Sequence, residues 1–308
     1  MKTNTPANIE KISFGKLNGY RMYFKSSSAQ IISDLGCNLN SLMLNGQDII
    51  DGNTDEEMLS SNYLAKSALL MPFPNRIDKG KYNFGGKTYR LPINKKAEGH
   101  AIHGLVYDKP FKLVNTKTTK TSVSASFFYG ISNTQHEGYP FNLLFLVTCA
   151  LESNQFTISV SGTNNGKSVL PYGVGWHPYL KTNKKIDRCK LSISSRHMLE
   201  IGQTKKMIPT GKIKRANAFN NGLMGKQRFD TCFTNLFSHK TQFENIILFQ
   251  DSTMNFLQVY TPENRQSIAI EPMSCAPDAF NNKMGMISLV PLTSVTHSFG
   301  IKLLHEKH

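Results

Sequence analysis

The sequence is short of cysteine, tryptophan, long apolar runs and acidic residues, and each shortage excludes something. Its five cysteines (Cys37, Cys149, Cys189, Cys232, Cys275) are odd in number, widely scattered and never form a C-x-x-C. That fits neither a disulfide scaffold nor a thiolate metal site. It points to a reducing compartment with most thiols buried as small hydrophobes, so a cytoplasmic location is expected. The longest apolar stretches, such as 141–151, are broken by Asn142, Thr148 and Cys149 and are too short for a membrane-spanning helix. The N-terminal segment lacks the apolar core of a secretory signal, and none is expected. Neither GxGxxG nor GxxxxGK[ST] occurs, which argues against a nucleotide-binding α/β fold. Helical periodicity is nearly missing. The best candidate is a short turn at 54–59, with Thr54 as cap and Glu57 three residues on.

Acidic residues number 21 against 36 Lys plus Arg, a formal charge of +15 in 308 residues. Nucleic acid, anionic membranes and acidic substrates are the partners such a charge suggests. The basic runs, at 117–120, 181–185 and 205–215, are dispersed and lack interleaved aromatics. They read as solvated surface, so no nucleic-acid or membrane partner is expected. Hydrophobic residues make up 39%, with 22 Gly and 13 Pro, which excludes disordered and low-complexity classes.

What is abundant is short alternating segments. In QFTISVS, Phe156, Ile158 and Val160 alternate with Thr157, Ser159 and Ser161. Similar runs lie at 122–132, 245–250, 255–261 and 267–272. Turn clusters separate such runs at Asn45-Gly46, Gly85-Gly86, Asn164-Asn165-Gly166 and Asn220-Asn221-Gly222. This is the pattern of an all-β sandwich or barrel. No repeat, linker or composition break divides the chain, so residues 1–308 are expected to form one domain. Residues 181–229 are more basic and irregular, and read as a loop-rich insertion within it.

Four constellations could carry chemistry. In SALLMPFPNRIDKGKYNFGGKTYRLP (67–92), Arg76 closes an apolar stretch and should be partly buried. Its fork of donors needs hydroxyls or a carboxylate, whether from a ligand or from a bracing salt bridge. In HAIHGLVYDKPF (100–111), His103 precedes Gly104, which permits close approach of another group. His100 and His103 have no third ligand at metal-binding spacing, so no metal is expected. In VLPYGVGWHPYL (169–180), Pro178 ends a ladder just after His177 and should aim the ring into a cleft. Trp176, the only tryptophan, offers either a stacking face for a sugar or a core side chain. In SIAIEPMSCAPDAF (267–280), Glu271 closes an apolar strand, where an acid is costly unless paired or functional. A carboxylate base, two imidazoles and an arginine, without a nucleophile or metal set, suit proton transfer on a neutral polyhydroxylated molecule.

In this order, Asn75-Arg76-Ile77, His103-Gly104-Leu105, Glu137-Gly138-Tyr139-Pro140, His177-Pro178-Tyr179-Leu180, Phe229-Asp230-Thr231-Cys232-Phe233 and Glu271 resemble the aldose 1-epimerase (galactose mutarotase) family. The resemblance covers roughly residues 30–300. It implies a large antiparallel β-sandwich, the galactose mutarotase-like supersandwich, with a sugar cleft. It also implies interconversion of the α and β anomers of an aldohexose by acid/base ring opening and closure, with no cofactor. Carried over residue by residue, Glu271 is the general base, His177 the general acid and His103 a supporting acid. Arg76, Asn75 and Asp230 would hold sugar hydroxyls, and Trp176 joins them as a candidate for sugar binding. A non-catalytic carbohydrate-binding module on the same fold is the alternative. The expected assembly is a monomer or homodimer.

Overall fold

A computed structural model describes residues 5–203, 207–217 and 219–304. The fold is nearly all β. A nine-stranded antiparallel sheet runs in the order Lys112–Thr118, Val123–Ile131, Leu143–Leu151, Gln155–Asn164, Ser294–Leu303, Ile246–Gln250, Lys240–Phe243, Lys190–Ser192 and Gly222–Leu223. An eight-stranded sheet is built around Ile268–Met273, which pairs with Phe256–Tyr260 on one side and with Gly175–Trp176 and Tyr179–Leu180 on the other. A five-stranded meander from Thr5–Phe14 to Gln47–Asp48 forms the third sheet. This is the all-β sandwich expected from the alternating pattern.

The alternation explains the layering. Along Gln155–Asn164 every second residue is buried, and Phe156, Ile158 and Val160 are each 0% exposed. Their side chains join those of Met22, Phe127, Val147, Leu257, Ile270 and Phe299 in one core shared by all three sheets. Each fully buried aromatic or branched side chain there contributes roughly 1.5–3 kcal/mol. The opposite face of the same strand carries hydroxyls. Ser159 pairs with Ser298 at 2.8 Å and Ser161 with Thr296 at 2.6 Å. Two of the turn clusters make two-residue hairpins. Both residues of Asn45-Gly46 and of Gly85-Gly86 have positive φ, the conformation that matches strand twist.

Two expectations need correction. The short helix is Glu56–Ser60, and Asp55 caps it, its Oδ1 accepting from the Met58 amide at 2.9 Å. Thr54 only donates to Asp55, because the carboxylate beside it is the stronger acceptor. Residues 181–229 are rich in loops, but their short strands are built into both large sheets. They supply Lys190–Ser192 and Gly222–Leu223 at the edge of one large sheet and His197–Ile201 and Pro209–Arg215 at the edge of the other. Pro209–Arg215 is exposed from Thr210 onward, so no alternation marks it as a strand. Lys205 and Lys206 of the basic run lie outside the described residues. No helix among the described residues is long and apolar enough to cross a membrane. All five cysteines are buried and unpaired.

Candidate active site

The strand Ile268–Met273 is buried along its whole length, and Glu271 is 2% exposed. The register that pairs Gly175 with Met273 and Tyr179 with Ala269 sets His177 opposite Glu271. Between those pairs the ladder breaks. His177 bonds through its backbone to the other side, donating to Ala68 O at 3.1 Å and accepting from the Ser67 amide at 2.8 Å. Pro178 can donate nothing, so the strand detours there and the His177 ring turns inward. Its Nε2 lies 3.3 Å from Glu271 Oε1. Packing fixes the ring, with Tyr179 stacked on it at 5.2 Å and His103 edge-on at 5.2 Å.

His103 and Arg76 arrive on a small ladder of their own. Arg76–Ile77 pairs with Ala101–Ile102, and the His103 amide donates to Asn75 O at 2.9 Å. Asn75 and His103 both sit at positive φ, 53° and 66°, uncommon for residues with a side chain. Gly104 makes the His103 position possible. Its φ is +79°, and a Cβ there would lie 2.0 Å from the Met71 carbonyl oxygen. The close approach foreseen for this glycine is therefore to backbone.

Six of the seven candidates line one cleft of about 470 Å³: Asn75, Arg76, His103, His177, Asp230 and Glu271. That volume is within the range of small-molecule sites, roughly 300–1,000 Å³. Trp176 is the exception. It is 0% exposed and stacks on Phe299 at 5.6 Å, so it belongs to the core. Successive strand residues face opposite ways, and turning His177 into the cleft turns Trp176 away from it. His100 is also structural, with Nδ1 accepting from the Lys79 amide at 3.1 Å.

Three cleft residues are not among the sequence candidates. Glu98 grips Arg76 at 2.6 Å to Nε and 3.2 Å to Nη2. Gln258 lies opposite Glu271 in the ladder and donates to Asp230 Oδ1 at 2.7 Å. Lys95 stands exposed at the rim. Gln258 is a buried amide in an apolar strand, which is the signal that exposed Glu271 and could have marked it too.

The electrostatics favour neutral groups. Burial pushes the Glu271 carboxyl well above its ordinary range; Asp230 adds to this and Arg76 opposes it. Burial, with a smaller contribution from Arg76, pulls His177 down to about 3. His103 is also held well below its usual value, by burial and then by His177 and Arg76. The free values of Glu and His, about 4.3 and 6.5, leave a window with carboxylate and imidazolium together. Desolvation works against that window, raising Glu271 and lowering His177. Among the described residues, Glu271 Oε2, His177 Nδ1 and His103 Nδ1 are buried without a hydrogen-bond partner. Such atoms are costly in isolation and mark a place where a polar ligand completes the set.

The fold and the cleft define a β-sandwich protein with an inward-facing carboxyl–imidazole pair in a polar, sugar-sized site. The sequence pattern of aldose 1-epimerases matches residues 22–302, and the chain belongs to that family. It is 29% identical over 273 residues to YihR of Escherichia coli K12, covering 84% of each chain. It is 26% identical over 226 residues to the galactose mutarotase of Mus musculus, covering 67% of this chain and 62% of that one. A galactose mutarotase-like protein from Clostridium acetobutylicum has the same fold, with a TM-score of 0.87, 19% identity and coverage of 97% and 99%.

Proposed function

We propose that this protein is a cofactor-independent mutarotase that interconverts the α and β anomers of a neutral aldohexose. The observation that carries the reading is the Glu271–His177 pair, two buried proton-transfer groups facing each other at 3.3 Å in the cleft. Burial favours the neutral form of the pair, with the imidazole uncharged and the proton on the carboxyl. Passing it to His177 gives carboxylate and imidazolium with no change in net charge. Arg76 and the hydroxyls of a bound sugar stabilise the carboxylate. Glu271 then takes the proton of the C1 hydroxyl, and His177 gives its proton to the ring oxygen. The C1–O5 bond opens to the aldehyde, C1–C2 rotates, and the two groups reverse roles as the ring closes on the other face. His103 supports the charge on the ring oxygen. Asn75, Arg76 and Asp230 hold hydroxyls. Each well-placed proton-transfer group contributes typically ~10²–10⁴-fold.

The whole chain acts as one domain in this reading, as a monomer or homodimer, and the five buried thiols support a cytoplasmic location. The test is polarimetry on freshly dissolved α-glucose and α-galactose with and without protein. Faster anomer equilibration supports the proposal. Sugar binding without faster equilibration would leave a non-catalytic carbohydrate-binding module.

A further inference from the structure

All three guanidinium nitrogens of Arg76 are engaged inside the protein. Nε and Nη2 grip the two oxygens of Glu98, and Nη1 donates to Asn75 Oδ1 at 3.1 Å. The pair is mostly shielded, with side chains 11% and 20% exposed. A bidentate Arg–carboxylate pair in such a place is among the stronger ion pairs a protein makes. Arg76 and Glu98 are 22 residues apart, so the contact is tertiary rather than local. Its backbone amide is satisfied separately, by Lys95 O at 3.1 Å.

The consequence is a charge balance at the cleft wall. Two cations line it, Arg76 and Lys95. Glu98 cancels the first and takes two of its five N–H donors, so one bidentate face of the guanidinium is already filled by a carboxylate. Asp230 adds a second carboxyl to the lining. An uncharged sugar would lose little by this arrangement, since a hydroxyl can accept from the remaining N–H groups of Arg76 or donate to Glu98. A carboxylated sugar meets two carboxylates and an arginine already neutralised.

We propose that Glu98 is a specificity determinant that reserves the cleft for uncharged aldoses and rejects anionic ones such as hexuronates. The inference rests on the reading of this cleft as the aldose site. Specificity of this kind comes from a repulsive element placed against the wrong ligand.

The experiment measures binding of glucose and glucuronate by NMR titration, and anomer exchange of both, in the wild type, Glu98→Gln and Glu98→Asp. Glu98→Gln keeps the size and one acceptor but leaves the charge of Arg76 uncompensated. The ratio of glucuronate to glucose affinity should rise about tenfold or more, the equivalent of one charge interaction of about 1.4 kcal/mol. Glu98→Asp keeps the charge and should keep the wild-type ratio within about threefold. Should Glu98→Gln fail to fold, Glu98→Ala carries the same comparison. An unchanged ratio in the neutral variant overturns the proposal. So does an equal shift in Glu98→Asp, which would make the residue a spacer. Wild-type protein that binds glucose without speeding its exchange removes the mutarotase reading only, and the affinity ratio still decides the role of Glu98. Absence of binding of either sugar to any variant removes both.

Discussion

Replacing Glu271 with Gln should separate chemistry from folding. The side chain is 2% exposed, with one oxygen 3.3 Å from His177 Nε2 and the other without a partner among the described residues. The amide keeps size and hydrogen bonding but cannot take a proton. Loss of a general base costs about 10²–10⁴ in rate, or about 2.7–5.4 kcal/mol in the barrier. Stability should move the other way. Burial raises the Glu271 carboxyl, so the folded state holds its proton more tightly than the unfolded chain does. Its stabilising contribution is therefore full at low pH. It is lost as pH climbs from the ordinary 4.5 through the raised value. An uncharged amide escapes that loss, and Glu271→Gln should melt at or above the wild type at neutral pH. The assay is saturation-transfer NMR of anomer exchange, with a glucose titration and a melting curve on the same sample. Near-normal exchange would refute Glu271 as the base. A variant that loses both fold and exchange would show that the carboxyl is a structural partner of His177 instead.

His177→Asn should lower kcat far more than it raises KM, because proton donation to the ring oxygen is felt mainly in the transition state; steady-state polarimetry reads the split. The same residue makes the fold acid-sensitive. With His177 lowered to about 3, its neutral form contributes stability above pH 6.5 that is lost as pH falls towards 3, on the order of several kcal/mol. Melting curves across that window should fall less steeply in His177→Asn. Trp176→Phe should leave sugar affinity unchanged while lowering the melting temperature, since the ring packs in the core against Phe299. Gly104→Ala should destabilise by more than 1–3 kcal/mol and impair exchange, because its φ of +79° and the Met71 carbonyl leave no room for a Cβ. Exhaustive chelation should leave exchange unaltered; activity lost and then restored by zinc would contradict the proton-transfer scheme.

Much of the site was legible because its residues stand beside backbone punctuation. Asn75 follows Pro74, His103 precedes Gly104, His177 precedes Pro178 and Glu271 precedes Pro272. The first three mark places where the chain leaves regular geometry, whereas Glu271 stays within the regular ladder of Ile268–Met273 and stands out as an acid in an apolar run. Asp230 has no such neighbour, and only its place in the family's motif order singled it out. Glu98 was invisible, because in NKKAEGH it reads as one more solvated charge. Its role depends on a contact with a residue 22 positions earlier, through a turn the composition does not announce. The same holds for residues 181–229, whose edge strands have too little buried area to imprint a period.

Trp176 and the proton inventory show what local reading lacks. The bend at His177 is legible in the sequence, and strand parity then sends Trp176 to the opposite face. Once His177 is assigned to the cleft, Trp176 cannot face a sugar from the same strand. The protonation of the pair is harder, because no residue within the strand sets it. Glu271 is desolvated by Phe256–Tyr260 on one side and by the His177 segment on the other, and its charge neighbours Asp230 and Arg76 come from positions far apart in the chain. Free-residue values favour the proton on His177; burial shifts the balance towards Glu271. The difference matters for function, since a neutral resting pair costs little to bury and holds the acid and base in reserve. It also fits a neutral substrate, whose hydroxyls can repartition one proton without importing a charge that the cleft would have to solvate.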